Sequence, residues 1–267
     1  MKTLPPQRPH RAESAGGRPT HRTIYGINPV TEALAAGRAI TEAVVLPGKH
    51  GPELALVVQK LKAKGVRLVD GDRHRIATLA DSRNHQGVVA QVEALPNGSL
   101  TGLVKDKPTG RITVLLIDHL QDPQNLGSIY RSADAFAVDL LFLPAHESVS
   151  HQLGSVAKAS AGAVEHVPTV VVRDLAKAVS ELKGHGFRLV GLASPDTGVP
   201  ATADMGAALA SERLAIALGA EGAGLSKAVR SMCDELVSIR TAGKVGSLNA
   251  GTACGLVLHA RFSSAQV

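Results

Sequence analysis

The first part of the chain, residues 23–95, alternates between helical and strand-like spacing of its apolar positions. Apolar residues recur every three or four positions over 52–64, which predicts an amphipathic helix. Two more helices are predicted to begin at Asn28, which Pro follows, and after Asp72, because Pro favours the first helical turn and Asp caps helix N-termini. The strands predicted between these helices cover 42–46, 66–69 and 87–95. The pattern indicates a compact α/β module.

Residues 112–267 show a different pattern, which opens with a strongly apolar predicted strand. Residues 112–117 are too uniformly apolar to alternate, so this strand is predicted to be buried on both faces, as in a parallel sheet. The further strands predicted in this part of the chain cover 140–143, 167–172, 187–192, 214–218 and 235–239. Because helical segments separate them, the sequence predicts a doubly wound α/β domain.

Composition separates two further segments from these modules. Residues 96–111 are rich in Pro, Gly, Lys and Thr, which is typical of a linker. Residues 1–22 hold five basic residues, one acidic residue and few apolar ones, which predicts a disordered basic arm. The net charge of +6 points to an anionic partner, but the arm carries most of that excess and the charge says little about the folded body.

Composition also argues against several classes of function. Aromatic residues make up only 2% of the chain, with no Trp, which argues against single-strand binding by rows of stacked rings. Cys233 and Cys254 form neither a metal-binding spacing nor a disulfide framework, so they are predicted to be reduced thiols in a cytosolic protein. The histidines have no metal-ligand spacing, and no apolar run approaches the roughly 18 residues of a membrane span. We therefore expect neither a metal site nor a membrane anchor.

Three polar segments lie where a predicted strand passes into a predicted helix. They are Asp-Pro-Gln-Asn-Leu-Gly at 122–127, Gly-Ala-Glu-Gly-Ala-Gly at 219–224, and Gly-Lys-Val-Gly-Ser-Leu-Asn at 243–249. The carboxyl ends of parallel strands meet at one edge of a sheet, which is where open α/β sheets build their sites. Each segment alone is consistent with a helix cap or a tight turn, but together they predict one polar site.

An arginine lies on the helix predicted to follow the first segment. Asn125 is predicted to be the N-cap of a helix over 126–138, and Arg131 is the only charged side chain in the first two turns of that helix. We interpret Arg131 as a guanidinium fork for a phosphate or carboxylate. The alternative is a structural ion pair with Asp134 or Asp139.

The second segment only superficially resembles a nucleotide-binding loop. Its glycines do not follow the dinucleotide-binding order, and no Walker lysine stands at the required spacing. The glycines allow close approach of the backbone to a ligand. Glu221 is predicted to lie near the free N–H groups of a helix start, where it either serves the site or merely complements the helix dipole.

In this order, the segments resemble the three motifs of the SpoU (TrmH-like) RNA 2′-O-methyltransferases of the SPOUT superfamily. Motif one resembles 125–131, motif two Gly-x-Glu-x-x-Gly over 219–224, and motif three Ser-Leu-Asn at 247–249. The first module carries Ile-Tyr-Gly at 24–26 and His-Gln-Gly at 85–87. It is similar to the ribosomal-protein-L30e-like substrate domain of the RlmB-type rRNA enzymes.

The resemblance implies S-adenosylmethionine-dependent 2′-O-methylation of a guanosine in large-subunit rRNA by a cytoplasmic homodimer, with an active site completed across the dimer interface. It further implies a parallel sheet with a deep trefoil knot in domain 112–267, beside an L30e-like RNA-binding domain at 23–95. The catalytic positions carried over are Asn125, Arg131, Glu221, Ser247 and Asn249. The cofactor contacts carried over are Gly219, Ile239 and Leu248.

The sequence departs from the family pattern in two places. Arg-Thr at 240–241 replaces the usual Pro-Met, and Ala-Gly-Thr at 250–252 replaces the usual Val-Ser-Val. The alternatives are a tRNA-modifying or antibiotic-resistance rRNA enzyme of the same superfamily, and a catalytically idle RNA-binding protein of the same fold. The departures leave the idle protein open, whereas the intact motif residues speak against it.

Overall fold

The computed structural model describes residues 20–48, 51–194, 198, 202, 204–220, 222–243 and 248–264. The first module contains β1 (His21–Tyr25), α1 (Ile27–Ala35), β2 (Ile40–Val45), α2 (Pro52–Ala63), β3 (Arg67–Asp70), α3 (Arg73–Ala80) and β4 (Val88–Glu93). Its sheet has the order β1-β4-β2-β3, with β2 and β3 parallel and the other pairs antiparallel. The predicted α/β module is confirmed, and Asp72 caps α3 by accepting a hydrogen bond from the Arg75 amide at 2.7 Å.

The second module is built on a six-stranded sheet. Its elements are α4 (Leu100–Asp106), β5 (Ile112–Ile117), α5 (Pro123–Ala135), β6 (Leu140–Pro144), α6 (Gly154–Ala159), a 3-10 helix (Ala163–Glu165), β7 (Thr169–Val172), α7 (Leu175–Gly184), β8 (Arg188–Ala193), α8 (Met205–Ala208), β9 (Arg213–Leu218), α9 (Lys227–Met232), β10 (Glu235–Ser238) and α10 (Ala250–Ser263). The strand order is β10-β8-β9-β5-β6-β7, and every neighbouring pair is parallel. The predicted parallel sheet is confirmed, whereas the trefoil knot stays a prediction.

Strand β5 is buried on both faces, as its largely apolar sequence predicted. Ile112, Val114 and Leu116 pack in one hydrophobic cluster with residues of α7 and α9. Leu115 and Ile117 point to the opposite cluster, which contains residues of α5 and α10. Helices therefore cover both faces of the sheet, and its polar chemistry is confined to the strand ends.

The start of the chain corrects one sequence prediction. Residues 1–22 were predicted to be a disordered arm; residues 1–19 lie outside the described residues, but His21 and Arg22 belong to β1, and Arg22 is only 5% exposed. Its guanidinium forms an ion pair with Glu165 of the second module. Composition favoured a disordered arm because an arginine is normally exposed to solvent. The partner that allows Arg22 to be buried lies far away in the sequence.

The predicted linker 96–111 contains a helix that composition did not predict. Ser99 caps α4 by accepting a hydrogen bond from the Gly102 amide at 3.0 Å, and Leu100 is buried beside β5. The Gly98 amide donates to the Thr169 carbonyl at 2.7 Å. The Ser99 cap and the buried Leu100 thus stabilise a helix in a segment whose Pro- and Gly-rich composition predicted a linker. The segment packs on the second sheet.

A buried ion cluster joins the two modules. Glu165 is 4% exposed and receives both Arg22 and Arg38 of the first module. Arg38 Nε lies 3.3 Å from Glu165 Oε2, and its Nη2 donates to the Glu165 carbonyl at 3.0 Å. Around this cluster, Ile24 of β1 and Val156 of α6 belong to one continuous hydrophobic core. The modules therefore share a core and are not independent bodies on a flexible tether.

His151 at this junction gives a prediction about pH. The side chain is 3% exposed, and burial, followed by the charge of Arg22, lowers its pKa to about 4. Between about pH 6.5 and 4 the unfolded chain binds a proton that the folded chain does not, so the free energy of unfolding falls as the pH is lowered through this range. The expected loss is up to about 3 kcal/mol.

Urea unfolding of the wild type and of His151→Gln at pH 7.5 and 4.5 measures this effect. The variant should lose less stability than the wild type between the two pH values, because glutamine does not titrate. If both proteins lost the same free energy of unfolding between the two pH values, folding would not lower the pKa of His151.

Candidate active site

At the carboxyl edge of the second sheet, described residues of the first and third polar turns are hydrogen-bonded to each other, and the second turn follows a neighbouring strand. The Asn249 side-chain amide, which precedes α10, donates to Asn125 Oδ1 at 2.6 Å and joins the third turn to the first. The Asp118 carboxylate, which follows β5, accepts from the Ser226 amide at 2.7 Å and joins the first turn to the segment after the second. Strands β5 and β9 are neighbours in the sheet, so their turns lie side by side.

Asn125 occupies a different position from the predicted one. Asp122 is the N-cap of α5 and accepts from the Gln124 amide at 3.0 Å, while Pro123 is the first helical residue. Asn125 lies inside the first turn and is 6% exposed. The prediction missed the stronger signal, an Asp followed directly by Pro, which marks a helix start. This shift frees the Asn125 side chain from capping and makes it available to the site.

The asparagine pair has a fixed polarity. Asn249 Oδ1 caps α10 by accepting from the amides of Gly251 at 3.0 Å and Thr252 at 3.3 Å. Because its oxygen is used in this way, its Nδ2 group donates to Asn125. The same geometry orients the Asn125 Nδ2 group as a donor at the sheet edge. Two helix starts thus hold one rigid amide pair.

Glycines allow α5 to pack closely against the helices on its two sides. A Cβ atom on Gly251 would overlap Ser128, lying 2.5 Å from its Cβ, and a Cβ on Gly127 would lie 2.8 Å from the Ala159 carbonyl carbon. Real Cβ atoms do not approach other atoms this closely, so both positions require glycine. The glycine at 251, where the sequence departs from the family pattern, is therefore required by packing. The contact between Gly251 and Ser128 holds α10 against α5, the helix that carries Arg131.

We expect Gly251→Ala to lower the free energy of unfolding by about 1–3 kcal/mol, although alanine is the better helix former. Gly184→Ala is the matched control, because Gly184 ends α7 with open space around it. That variant should be neutral or more stable by up to about 1 kcal/mol. Adding Ser128→Gly should restore part of the stability lost in Gly251→Ala. Chemical denaturation of the four proteins tests this, and a stable Gly251→Ala variant would contradict the packing.

Arg131 is exposed on α5. Asp139 binds Lys107 and accepts from the Thr113 amide at 2.8 Å, so it is not the partner of Arg131. Within the part of the chain that the structure describes, neither Asp134 nor any other carboxylate pairs with Arg131. The predicted alternative of an ion pair with Asp134 or Asp139 is wrong, and the guanidinium is available to a ligand.

The second turn is closed by its glycines. Gly224 and Ala220 exchange backbone hydrogen bonds of 2.8 and 3.2 Å, and a Cβ on Gly219 would overlap the Gly224 backbone. Gly222 and Gly224 adopt φ values of +78° and +67°, which disfavour residues with side chains. Open space adjoins both of these positions, so a ligand can approach the backbone there. Glu221 lies outside the described residues.

Two of the predicted cofactor contacts are half-buried apolar side chains. Ile239 follows β10 and packs against the main hydrophobic core, and Leu248 directly precedes Asn249. Ser238, the last residue of β10, is fully buried, and its Oγ has no hydrogen-bond partner among the described atoms. This edge of the sheet therefore combines apolar side chains with a hydroxyl group, Ser238 Oγ, that has no hydrogen-bond partner among the described atoms. Ser247 lies outside the described residues.

Sequence reasoning missed Asp118, which is fully buried at the end of β5. Its carboxylate contacts His119 Nδ1 as well as the Ser226 amide, and His119 Nε2 lies 3.0 Å from Glu147 Oε2. A charged residue directly after a uniformly apolar strand was the available signal. Asp118 holds the first and second turns in a fixed relation, because a buried carboxylate is stable only when its partners stay in place.

The described residues contain no group of three His, Cys, Asp or Glu side chains arranged to hold a metal ion, and none of their helices is long and apolar enough to span a bilayer. Both cysteines are free thiols, and burial raises the pKa of Cys233 to about 11 and that of Cys254 to about 12. Neither is therefore an activated thiolate nucleophile at neutral pH.

Both modules match known protein families. Residues 112–259 match the SpoU rRNA methylase family, and residues 23–97 match the substrate-binding domain of RNA 2′-O ribose methyltransferases. A Staphylococcus aureus (strain COL) protein assigned to the TrmH family of tRNA/rRNA methyltransferases is 35% identical over 241 residues, covering 90% of this chain and 94% of its own length. A Bacillus subtilis (strain 168) protein with the same assignment is 34% identical over the same shares of the two chains.

A solved structure shows the same fold over nearly the whole chain. The SpoU methyltransferase AviRb from Streptomyces viridochromogenes, crystallised with S-adenosylmethionine, superposes with a TM-score of 0.74 at 22% identity, covering 92% of this chain and 91% of that one. The family match covers the whole sheet on which the three turns converge, and the curated relatives extend it across both modules. The chain therefore belongs to the SpoU (TrmH-like) family of RNA methyltransferases.

Proposed function

We propose that this protein transfers a methyl group from S-adenosylmethionine to the ribose 2′-hydroxyl of a guanosine in large-subunit rRNA. The observation that carries the proposal is the exposed Arg131 guanidinium, which has no carboxylate partner among the described residues and lies on the same helix as Asn125 of the Asn125–Asn249 pair. The match of the first module to an RNA 2′-O ribose methyltransferase substrate-binding domain supports RNA as the substrate. The curated relatives are named for both tRNA and rRNA, so tRNA is the alternative substrate.

The residues at the sheet edge fit S-adenosylmethionine, which supplies an electrophilic methyl group when bound. Ile239 and Leu248 offer half-buried apolar surface for the adenine ring. The open backbone at Gly222 and Gly224 offers amide and carbonyl groups, and the unused Ser238 Oγ offers a further hydrogen bond. Gly219 keeps the turn closed so that these groups hold their positions. Apolar walls with a few fixed polar groups are typical of cofactor sites.

Arg131 is proposed to clamp the phosphate next to the target ribose and to stabilise the alkoxide that develops at the 2′-oxygen. A guanidinium stays protonated in proteins, so we assign it no role as a base. Asn125 and Asn249 orient the hydroxyl, because their amide polarity is fixed by the two helix starts. Ser247 is proposed to assist them, and Glu221 or a water molecule to accept the proton. Methyl transfer requires an in-line oxygen held at attack distance, and this rigid arrangement serves that purpose.

We propose that the protein acts as a homodimer through the outer surface of α10. Leu256 is 49% exposed and Phe262 is 47% exposed, which is unusual for large apolar side chains on one helix. The Phe136 ring lies next to that of Phe262, with 5.9 Å between the centroids, so the apolar patch continues beyond α10. Because α5 and α10 pack together, a partner on this patch would lie close to the helix that carries Arg131.

Transfer of labelled methyl groups from S-adenosylmethionine to rRNA and tRNA tests the proposal. We expect one 2′-O-methylguanosine in large-subunit rRNA, which should be absent from cells that lack the gene. Methylation of tRNA alone would establish the alternative substrate. Binding of RNA without any methyl transfer would show an idle RNA-binding protein.

A further inference from the structure

A basic cavity lies at the junction of the modules, apart from the sheet edge already described. It has a volume of about 600 Å³, and its charged walls are Arg73 and Arg83 of the first module and Lys158 of α6 in the second. His85 and Gln86, from the segment before β4, complete its polar lining. No carboxylate lines the cavity among the described residues. Both modules therefore build one concave, positively charged surface.

Lys158 crosses from one module to the other. Its Nζ contacts Gln86 Oε1, which also accepts from the Ile27 amide at 3.1 Å. A Cβ on Gly26 would lie 2.7 Å from Lys158 Nζ and 2.9 Å from Gln86 Oε1, so a side chain at this position would displace both groups. The Ile-Tyr-Gly and His-Gln-Gly segments noted in the sequence thus meet at a lysine of the catalytic module, and the site exists only when the modules are docked.

The three cations of this cavity lack an acidic partner among the described residues, whereas six other cations form ion pairs. Glu165 binds Arg22 and Arg38, and four further pairs are Arg67–Glu42, Lys107–Asp139, Lys183–Asp234 and Arg188–Glu235. Within the described part of the chain, neither Arg73, Arg83 nor Lys158 has a carboxylate at ion-pair distance. Partial burial lowers the pKa of Lys158, because the charged form loses hydration without gaining a counter-ion. Such an arrangement is stabilised when an anion binds.

The remaining polar groups suit a phosphate. His85 Nδ1 accepts from the Gly87 amide at 3.0 Å, which leaves the proton of the neutral ring on Nε2 as a donor. Burial and then the charges of Arg73 and Lys158 lower the pKa of His85, which favours this neutral form. Arginine forks bind phosphate oxygens in pairs, and a lysine adds a point charge.

From this geometry we infer that the cavity formed by Arg73, Arg83 and Lys158 binds a backbone phosphate of the RNA substrate. The inference rests on the proposed function, since it takes RNA as the ligand. A phosphate held by both modules fixes the RNA strand relative to the sheet edge, because the modules share one core. The site contributes to RNA binding and placement, and the chemistry of methyl transfer stays at Arg131.

The experiment compares Lys158→Gln and Arg73→Gln with controls that remove the same charge outside the cavity. Lys177→Gln is the control in the second module, since Lys177 is exposed on α7, and Arg67→Gln is the control in the first. Each cavity variant should weaken RNA binding about tenfold, the usual effect of one charge-assisted hydrogen bond. The double variant should reduce the slope of log affinity against log salt by about 1 to 2. Loss of activity should appear in KM for RNA, with the affinity for S-adenosylmethionine unchanged.

Several outcomes would overturn the inference. Cavity variants that bind RNA like their controls, in affinity and in salt slope, would show that the cavity does not contact RNA. The cavity would be an anion site that does not contact RNA if inorganic phosphate binds the wild type more tightly than Lys158→Gln while the two proteins bind RNA with equal affinity. A wild-type protein that binds RNA but transfers no methyl group would refute the proposed function alone, and the binding comparison would still decide the role of the cavity.

Discussion

Replacing Arg131 with alanine is expected to reduce methyl transfer to RNA by about a thousandfold, the effect of removing one charge-stabilising donor from an active site. The affinity for S-adenosylmethionine should stay within a few-fold of the wild type, because the proposed cofactor contacts come from the other two turns. Single-turnover transfer rates and calorimetric titration of the cofactor measure the two quantities separately.

Arg131→Lys distinguishes a clamp from a base. Lysine keeps the positive charge but loses the bidentate fork, so a clamp leaves slow activity with little change in pH dependence. A base would move the rate profile to lower pH, because the intrinsic pKa of lysine is roughly 10.4 and lies below that of arginine. We expect the first result.

Arg173→Ala is the matched control for this series, since Arg173 is also exposed in the second module but follows β7 instead of lying on α5. Its activity should equal that of the wild type. Full activity of Arg131→Ala would contradict both roles of Arg131 and the site built around it.

Glu165→Ala is expected to lower the free energy of unfolding by about 3–5 kcal/mol, the usual cost of removing one partner from a buried ion cluster. The substitution leaves the Arg22 guanidinium buried without its counter-charge, and Arg22 Nη1 already lacks a hydrogen-bond partner. Because domains are stable by only about 5–15 kcal/mol, this loss is severe. It should also weaken the docking of the two modules.

The exposed pair of Glu42 and Arg67 provides the control. Their separation is 3.3 Å, but Arg67 is 76% exposed, so Glu42→Ala should cost at most about 1 kcal/mol. Urea unfolding followed by circular dichroism compares the two variants at neutral pH. Equal, small losses would show that Glu165 does not hold the modules together.

The order and type of most elements follow from local sequence. Residues 112–117 are apolar at every position except Thr113, and a strand of this kind is stable only where both faces are covered, so the parallel sheet was predictable. Once the strands are parallel, the turns after β5, β9 and β10 must lie at one edge, which predicted the meeting of Asn125 and Asn249. The cap of α3 at Asp72 was also read correctly, because it depends only on neighbours three residues away.

The sequence did not determine which polar residues are buried or what they contact. Arg22 looked like part of a solvated arm, and its burial depends on Glu165, 143 residues further along the chain. In the sequence Gly251 was only part of a departure from the family pattern, and its role in packing comes from the close contact with Ser128. Lys158 carries no local signal, and it becomes part of a cavity only when the modules dock. Local propensity acts over a few residues, whereas burial, close packing and charge pairing depend on distances that only the tertiary structure sets.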